Sequence, residues 1–183
     1  MGKFAVIDTE TNWHDQVMTI GTVIADEDIF QPLAIKYHIL PTECAVGGMY
    51  SGTVNLETPV EPIRCSRAAA IADLLGWFRS HGVRRIFAYN ANFDRNHLPE
   101  LKHLIWHDIM RLAAYRQTNP AIPADAELCS TGRLKRGYGV EPMLRLLSGE
   151  RSYHETHNAI FDALDELKIM KLLAHPLEEY GAL

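Results

Sequence analysis

Two stretches of the sequence carry its clearest hydrophobic patterns. Residues 3–8 include a short apolar run, Phe4-Ala5-Val6-Ile7, which is typical of a buried strand. In a later stretch, apolar side chains recur at steps of three and four residues, at Ile160, Leu164, Leu167 and Met170. That spacing predicts an amphipathic helix over residues 157–174 with one stripe facing the core. We therefore expect a sheet with this helix packed on it.

The part of the chain that follows the first strand is also predicted to form strands. β-branched residues are frequent over residues 17–25 and 30–40, and short turns separate these stretches from each other and from residues 3–8. This arrangement predicts a three-stranded antiparallel meander. The pattern is lost over residues 41–62, which contain three prolines and the Gly47-Gly48 pair. We expect a long loop there, and loops of this length are often functional.

The second half alternates between strand and helix patterns. Ser66 can cap a helix over residues 67–80, and residues 83–89 read as a fourth strand. Further helices are predicted over residues 95–103, 108–116, 130–136 and 141–148, with a short fifth strand at 104–106. The pattern therefore predicts an α/β fold in which helices flank a mixed five-stranded sheet. A chain of 183 residues, 47% of them hydrophobic, fits a single domain over residues 1–183.

Composition narrows the class of protein further. The three cysteines, Cys44, Cys65 and Cys129, are far apart and form no CxxC pair, which favours a reducing, cytoplasmic setting over a disulfide framework. No apolar run approaches the roughly 20 residues that span a bilayer, so we expect no membrane association. The net charge of −5 argues against tight, non-specific binding to long duplexes.

Two carboxylates follow the first apolar run. Asp8 and Glu10 are separated by one residue, so on a strand they would point to the same side. Like charges at the edge of a core repel each other and lose hydration. A hard divalent cation such as Mg²⁺, which prefers carboxylate oxygens, would relieve both costs. The same pair also fits a solvated strand end followed by a turn, so other residues must decide.

Two further carboxylates stand in similar contexts. Asp94 follows the fourth predicted strand and opens a helix, and ligands of α/β sheets gather at such strand ends. Asp162 lies beside the apolar stripe of the last helix, between Ala159 and Ala163, whose small side chains would let that helix approach the sheet closely. His157 stands at the start of the same helix. Taken singly, Asp94 also fits a helix N-cap and His157 an exposed histidine.

Three motifs in this order resemble the DEDDh 3'-to-5' exonucleases, the DnaQ-like group with a ribonuclease H-like fold. The family pattern has DxE on the first strand, NxxFD after the fourth and HxAxxDA on the last helix. This chain has Asp8-Thr9-Glu10, residues 90–94 (NANFD) and residues 157–163 (HNAIFDA) at those places. Ile20-Gly21 and the segment 108–113 add softer similarities. The resemblance spans nearly the whole chain and is weakest over residues 41–62.

The resemblance implies a phosphodiester hydrolase that uses two Mg²⁺ ions about 4 Å apart, for which we expect Mn²⁺ to substitute. Asp8, Glu10 and Asp162 would hold the first ion. Asp8 would bridge to the second ion, which Asp94 would help to hold, mostly through water. His157 would be the general base for the attacking water, because imidazole changes charge near neutral pH.

The resemblance also implies a grip on the terminal nucleotide by the backbone around Thr9 and by the side chains of Asn90 and Phe93. Family members often carry a glycine and an apolar wedge after the first motif, whereas this chain has Asn12-Trp13-His14. Trp13 fits two interpretations. It can stack on a base, a contact worth about 1–3 kcal/mol, or it can pack beneath the 41–62 loop.

The expected substrates are 3' ends of single-stranded DNA or RNA, or short oligonucleotides, and the expected products are nucleoside 5'-monophosphates. If four of the 23 acids belong to one metal site, the remaining 19 nearly balance the 18 bases, so the charge does not exclude a phosphate-rich substrate. The basic cluster of Arg133, Lys135 and Arg136 fits either a solvated helix face or a surface that tracks phosphates.

Two alternatives to a free-standing exonuclease stay open. The chain can be a proofreading or trimming subunit that works with a protein partner in a polymerase or processing complex. It can also be a non-catalytic nucleic-acid-binding module on the same fold. The presence of all four acids and of His157 argues against the second alternative, because a scaffold has no use for crowded carboxylates.

Overall fold

The computed structural model describes residues 2–183 and contains one mixed β-sheet of six strands. The strands are Lys3–Thr11 (β1), Val17–Asp26 (β2), Pro32–Ile39 (β3), Ile63–Arg64 (β4), Arg85–Ala88 (β5) and Ile105–Asp108 (β6). They lie in the order β4-β3-β2-β1-β5-β6. The first three form the predicted antiparallel meander, β5 runs parallel to β1, and β6 runs parallel to β5. The carboxyl ends of β1, β5 and β6 therefore share one edge of the sheet.

Helices cover both faces of this sheet. They are Pro41–Cys44 (α1), Arg67–His81 (α2), Asn92–His97 (α3), Met110–Ala113 (α4), Val140–Ser148 (α5) and Ala159–Leu173 (α6), with single 3-10 turns at Pro99–Leu101 and Leu177–Glu179. On one face α2 packs with Ala5 and Ile7 of β1, and on the other α5 and α6 pack with Phe4 and Val6. Among the helices of residues 2–183, none is long and apolar enough to cross a membrane. The predicted mixed α/β fold is confirmed.

The sheet has six strands rather than the five that the sequence predicts. The additional strand, β4, pairs in parallel with β3 through His38 with Ile63 and Ile39 with Arg64. Both residues of β4 are exposed, so it shows no alternating or apolar pattern. The segment 41–62, predicted as a loop without structure, also opens with α1, in which Pro41 occupies the first turn.

The helix predicted over residues 130–136 is wrong. This segment forms turns and isolated bridges, in which Leu134 pairs with Leu128 and Arg133 with Tyr115. Gly132 has a φ of 87°, a left-handed conformation that ends any helix at that point. The basic residues that favour a helix locally are thus overridden by pairing with distant parts of the chain.

The other differences concern the bounds of elements. The helix predicted over residues 95–103 is divided into α3 and the 3-10 turn Pro99–Leu101, because proline lacks the N–H that a continued helix needs. The helix predicted over 108–116 is reduced to α4, and the short strand predicted at 104–106 is β6. The helix predicted over 141–148 is confirmed as α5.

The start of α6 lies directly on the backbone of β2. A Cβ built on Gly21 would lie 1.9 Å from the carbonyl oxygen of Ala159, so the strand admits no side chain at this point. Ala159 and Ala163 are fully buried, as their small size predicts. Gly21 also pairs with Asp8 across the sheet. The contact therefore brings the first turn of α6 next to the acidic end of β1.

Candidate active site

β1 places its two acids on the face of the sheet that α6 covers. Phe4 and Val6 pack beneath α6, and the alternation of a strand puts Asp8 and Glu10 on the same side. Glu10 is only 8% exposed. The Oδ2 atom of Asp8 is buried without a hydrogen-bond partner among residues 2–183. The two carboxylates thus face one spot, as their spacing predicts.

The first turn of α6 contributes Asp162. Asn158 caps this helix, and its side chain accepts from the N–H of Ile160 at 3.3 Å. The Nδ2 atom of Asn158 donates to the hydroxyl of Tyr37 at 3.1 Å and to the carbonyl of Thr53 at 2.7 Å. These hydrogen bonds fix the helix start between β3 and the 41–62 segment. Asp162 is 3% exposed, and its Oδ1 atom is unpaired within the described residues.

Asp94 approaches the same edge from α3, which follows β5. The hydroxyl of Thr9 donates to Asp94 Oδ1 at 2.8 Å, and both side chains are buried. Because β5 is parallel to β1, the segment after β5 emerges beside the end of β1. Thr9 therefore anchors Asp94 through its side chain, in addition to the backbone contact that the resemblance implies for it.

Burial and the crowding of these acids raise the pKa of Asp8. Burial raises this pKa well above the usual range of an aspartate. The negative charges of Asp94, Glu166, Asp162 and Glu10 raise it further, in that order. The four acids predicted from the motifs therefore lie close enough to act on one another, and Glu166 joins them.

The pKa values of the other three acids are raised as well, in each case mainly by burial. That of Glu10 rises to about 7, that of Asp94 to about 7 and that of Asp162 to about 9. The charge of Glu155 adds to the rise at both Glu10 and Asp162. The hydrogen bond from Thr9 opposes the rise at Asp94 only in part. Without a counterion, this pocket strongly favours neutral carboxyls.

His157 lies just before α6 rather than in its first turn, so the predicted helix start is wrong by two residues. Its φ of 53° is left-handed, a conformation that non-glycine residues rarely adopt. Its carbonyl accepts a hydrogen bond from the hydroxyl of Thr53, and its ring stacks on Tyr50. A ring nitrogen of His157 and carboxylate oxygens of Glu10 and Asp162 all lie within 4.8 Å of one another.

This donor set fits a hard divalent cation. Carboxylate oxygens are the preferred ligands of both Mg²⁺ and Mn²⁺. Asp8 Oδ2 and Asp162 Oδ1 are buried oxygens that no hydrogen bond within residues 2–183 satisfies. A cation held here would satisfy them and offset the mutual repulsion of the acids. The arrangement is therefore suited to metal-assisted hydrolysis.

An open cavity of about 520 Å³ adjoins the acids. Its walls include Glu10 and four apolar side chains, those of Trp13, Met49, Tyr50 and Phe93. Trp13 is 66% exposed and Phe93 40%, so both rings are accessible to the solvent. Trp13 is thus not packed beneath the 41–62 segment, which it joins through a hydrogen bond from its backbone N–H to the Gly47 carbonyl at 2.9 Å.

Asn90, predicted to contact the terminal nucleotide, lies next to the helix that carries Asp94. It does not line this cavity and sits in the turn between β5 and α3 with a φ of 60°. Its backbone N–H donates to Asp108 Oδ1 at 2.9 Å, and its carbonyl accepts from the N–H of Phe93 at the same distance. Its main observed contribution is therefore to shape the turn that presents Phe93 and Asp94.

Several residues at the site were not predicted from the sequence. Glu166 follows Asp162 by one helical turn and is 1% exposed. An acid so close to the apolar stripe of a helix is a local signal that could have identified it. Glu155 and Tyr50 lie in segments without periodicity, so only the folded structure reveals them.

The basic cluster belongs to a turn, so its interpretation as a helix face is wrong. Lys135 and Arg136 are exposed, and the guanidinium of Arg133 lies 4.6 Å from the ring centroid of Tyr138.

Comparisons with known proteins bear on the fold. No protein-family model and no curated protein matches this sequence. Among solved structures, Escherichia coli exonuclease I in complex with a 5cy-dT13 oligonucleotide has a TM-score of 0.60 at 15% identity, over 98% of this chain and 42% of that one. Its zinc-bound complex with single-stranded DNA has a TM-score of 0.57 at 17% identity, over 94% and 40%. The nuclease domain of 3'hExo, a DEDDh family member bound to rAMP, has a TM-score of 0.65 at 11% identity, over 99% and 96%.

The chain has a ribonuclease H-like exonuclease fold. It spans less than half of the exonuclease I chain but nearly all of the 3'hExo nuclease domain. Identities this low establish the fold alone. What the chain does must therefore be argued from its own side chains.

Proposed function

We propose that this chain is a metal-dependent 3'-to-5' exonuclease, with residues 1–183 acting as one domain. Its substrates would be 3' ends of single-stranded DNA or RNA, or short oligonucleotides. The convergence of Asp8, Glu10, Asp94 and Asp162 carries the proposal, because four crowded acids, three of them buried, destabilise a protein that does not use them. The similarity in fold to exonuclease I and to 3'hExo supports the same reaction class.

In the proposed mechanism, Asp8, Glu10 and Asp162 would hold one Mg²⁺ ion, and Asp8 and Asp94 would help to hold a second, Asp94 mostly through water. Mn²⁺ would substitute for both. When bound, the two cations would stabilise the negative charge that develops on the attacking and leaving oxygens. Buried unpaired oxygens on Asp8 and Asp162 support this assignment.

His157 is proposed as the general base. As the oxygen of a water molecule bonds to phosphorus, a ring nitrogen of His157 takes the proton. The bond from phosphorus to the 3' oxygen of the preceding nucleotide breaks, which releases a nucleoside 5'-monophosphate. The position of His157 beside Glu10 and Asp162 supports this role, since all three groups face the same point.

The cavity next to the acids is proposed to hold the terminal nucleotides. Trp13 and Phe93 would stack on bases, a contact that tolerates any sequence. The backbone around Thr9 would position the terminal phosphate, and Asn90 would act through the turn that carries Phe93. DNA and RNA are both proposed because the similar structures include a complex with an oligodeoxynucleotide and one with rAMP.

The deciding experiment is a parallel digestion of 5'-labelled single-stranded and double-stranded DNA and RNA with Mg²⁺ present. We expect a ladder of labelled products that shortens from the 3' end, with nucleoside 5'-monophosphates released. The Asp8→Asn variant, which changes one oxygen to nitrogen, serves as the control and should produce no ladder. Digestion that proceeds equally in this variant, or label released first as a mononucleotide, would overturn the proposal.

A further inference from the structure

Trp13 and Phe93, the two rings proposed to stack on bases, come from different parts of the chain. Trp13 lies in the turn between β1 and β2, and Phe93 lies in α3. The backbone N–H of Asp15 donates to the carbonyl of Asn12 at 3.0 Å, which closes the turn around Trp13. The spacing between the two rings therefore depends on how this turn is held against α3.

A side-chain contact joins the turn to α3 directly. The Oδ1 atom of Asp15 lies 3.0 Å from Nε2 of His97, the last residue of α3. The Nδ1 atom of His97 lies 2.9 Å from the carbonyl oxygen of Phe93, and the centroids of these two rings are 4.2 Å apart. A single imidazole thus contacts both the Phe93 ring and the turn that carries Trp13.

His97 is itself held in place. Its side chain is 13% exposed, and its carbonyl accepts from the Nη2 atom of Arg67 at 2.6 Å. Arg67 is in turn paired with Glu100 at 2.9 Å. Both ring nitrogens of His97 face oxygen acceptors, so its two hydrogen bonds form together when the ring carries two protons. The end of α3 is therefore a fixed point to which Asp15 ties the turn.

We propose that His97 and Asp15 are positioning residues for the substrate, which keep Trp13 at the distance from Phe93 that a nucleotide chain requires. This inference rests on the proposed function and deepens it. Within residues 2–183, the side chains of this pair share no hydrogen bond with the four acids or with His157. Losing the pair should therefore weaken substrate binding and leave the chemical step unchanged.

The sign of the effect at Asp15 makes the test decisive. Asp15 is 81% exposed and negatively charged, so by charge alone its removal should favour a polyanionic substrate. If the pair positions the turn, Asp15→Ala should instead weaken binding, by about fivefold or more when part of a stacking contact is lost. The measurement is fluorescence anisotropy of a 5'-labelled single-stranded oligonucleotide with Mg²⁺ present. The full chain is used in an Asp8→Asn background, so that the probe is not digested.

Asp15→Asn is the conservative variant. The amide of asparagine can donate to Nε2 of an imidazole that carries its proton on Nδ1, so the link between the turn and α3 is kept. Its affinity should stay close to that of the parent.

Asp28→Ala is the control for charge. Asp28 is exposed and lies between β2 and β3, beyond the pairing of Asp26 with Lys3 at the start of β1. This substitution removes the same charge at the opposite edge of the sheet from the acids. It should bind the oligonucleotide as the parent does.

Digestion with Mg²⁺ in the parent background gives a second readout. Asp15→Ala and His97→Ala should each raise KM and leave kcat near the parent value, because the acids and His157 keep their places. The double variant should lose no more than the more impaired single variant, since removing either partner already breaks the link.

Three results would overturn the inference: Asp15→Ala binds as tightly as the parent or more tightly, Asp15→Asn is as weak as Asp15→Ala, or kcat falls while KM is unchanged. Any of these in a parent that digests oligonucleotides leaves the exonuclease proposal standing. A parent whose binding depends on Asp15 in this way but that digests nothing defeats the proposed function and keeps the role of the pair. A parent that neither binds nor digests defeats both.

Discussion

The ring of Tyr50 stacks on the imidazole of His157, with centroids 4.1 Å apart and ring planes 15° apart. Three residues further on, the hydroxyl of Thr53 donates to the backbone carbonyl of His157. Both contacts come from the 41–62 segment, the part of the chain that least resembles the exonuclease family. This segment therefore holds both the ring and the backbone of the proposed base.

Replacing Tyr50 should weaken catalysis by releasing the imidazole. We expect Tyr50→Ala to lower kcat by about tenfold or more, because a misplaced base no longer reaches the attacking water. Tyr50→Phe keeps the stacked ring and should retain most of the activity. Steady-state kinetics on a labelled oligonucleotide, with Mn²⁺ affinity measured alongside, tests this prediction. A loss as large in Tyr50→Phe as in Tyr50→Ala would assign the effect to the hydroxyl instead of the stack.

His157→Ala should separate proton transfer from metal binding. Removing a general base typically slows a reaction by about 10²- to 10⁴-fold, and we expect kcat to fall in that range. Mn²⁺ affinity should stay close to that of the parent, since carboxylates supply the proposed ligands. Single-turnover kinetics measure the rate of the chemical step, and calorimetry of the same preparation measures the Mn²⁺ affinity. If the variant cleaved at the parent rate between about pH 6 and about pH 9, His157 would not be the base.

The stability of the metal-free protein should fall as pH rises. Burial raises the pKa of Glu10 and Asp94 to about 7 and that of Asp162 to about 9, whereas carboxyls in an unfolded chain titrate near 4. Between these values the folded state binds more protons than the unfolded state, so the free energy of unfolding decreases with increasing pH. We expect the melting temperature to drop between about pH 5 and about pH 8.

Mg²⁺ should reduce this pH dependence, because bound cations replace the protons that the crowded acids otherwise retain. Melting curves with EDTA or with saturating Mg²⁺ across the same pH range provide the measurement. Asp162→Asn serves as a control, since it removes the carboxyl with the highest pKa of these three, and its slope in EDTA should be shallower. A melting temperature in EDTA that rises over this range would contradict the prediction.

The elements that the sequence predicts correctly are those with strong local patterns. β1 and α6 each carry a clear apolar pattern, and each ends or begins beside an acid of the site. β4 was missed because two exposed residues paired with a distant strand leave no pattern. The helix predicted over 130–136 failed because pairing of Leu134 with Leu128 overrides local preference.

The residues of the site also fall into those that the sequence predicts and those that it does not. Three short motifs predict Asp8, Glu10, Asp94 and Asp162. The parallel pairing of β1 and β5 brings Asp94 beside β1, and the close contact of α6 with Gly21 brings Asp162 there. Tyr50 contacts His157 because of the path that the 41–62 segment takes in the fold. That segment has no hydrophobic periodicity, so the sequence does not predict the contact. A local sequence pattern therefore predicts some residues of the site, whereas others reach the site only through tertiary contacts.

Gly21→Ala should damage both stability and metal binding. The added Cβ would lie 1.9 Å from the carbonyl oxygen of Ala159, a backbone atom that cannot move without shifting α6. We expect a loss of about 1–3 kcal/mol in the free energy of unfolding, typical of overpacking a close contact. Because Asp162 lies in the same turn as Ala159, Mn²⁺ affinity should fall as well. Urea unfolding and calorimetry measure the two effects.

Gly76→Ala is the matched control for this substitution. Gly76 lies on the exposed side of α2, and a Cβ built there has no neighbouring atom within 4 Å. Alanine is a better helix former than glycine, so this variant should gain about 0.5–1 kcal/mol of stability and bind Mn²⁺ as the parent does. If Gly21→Ala were as stable as Gly76→Ala, α6 would be free to move away from β2. Its position would then not depend on the close approach of Ala159 to the strand, and the geometry of the acids would need another cause.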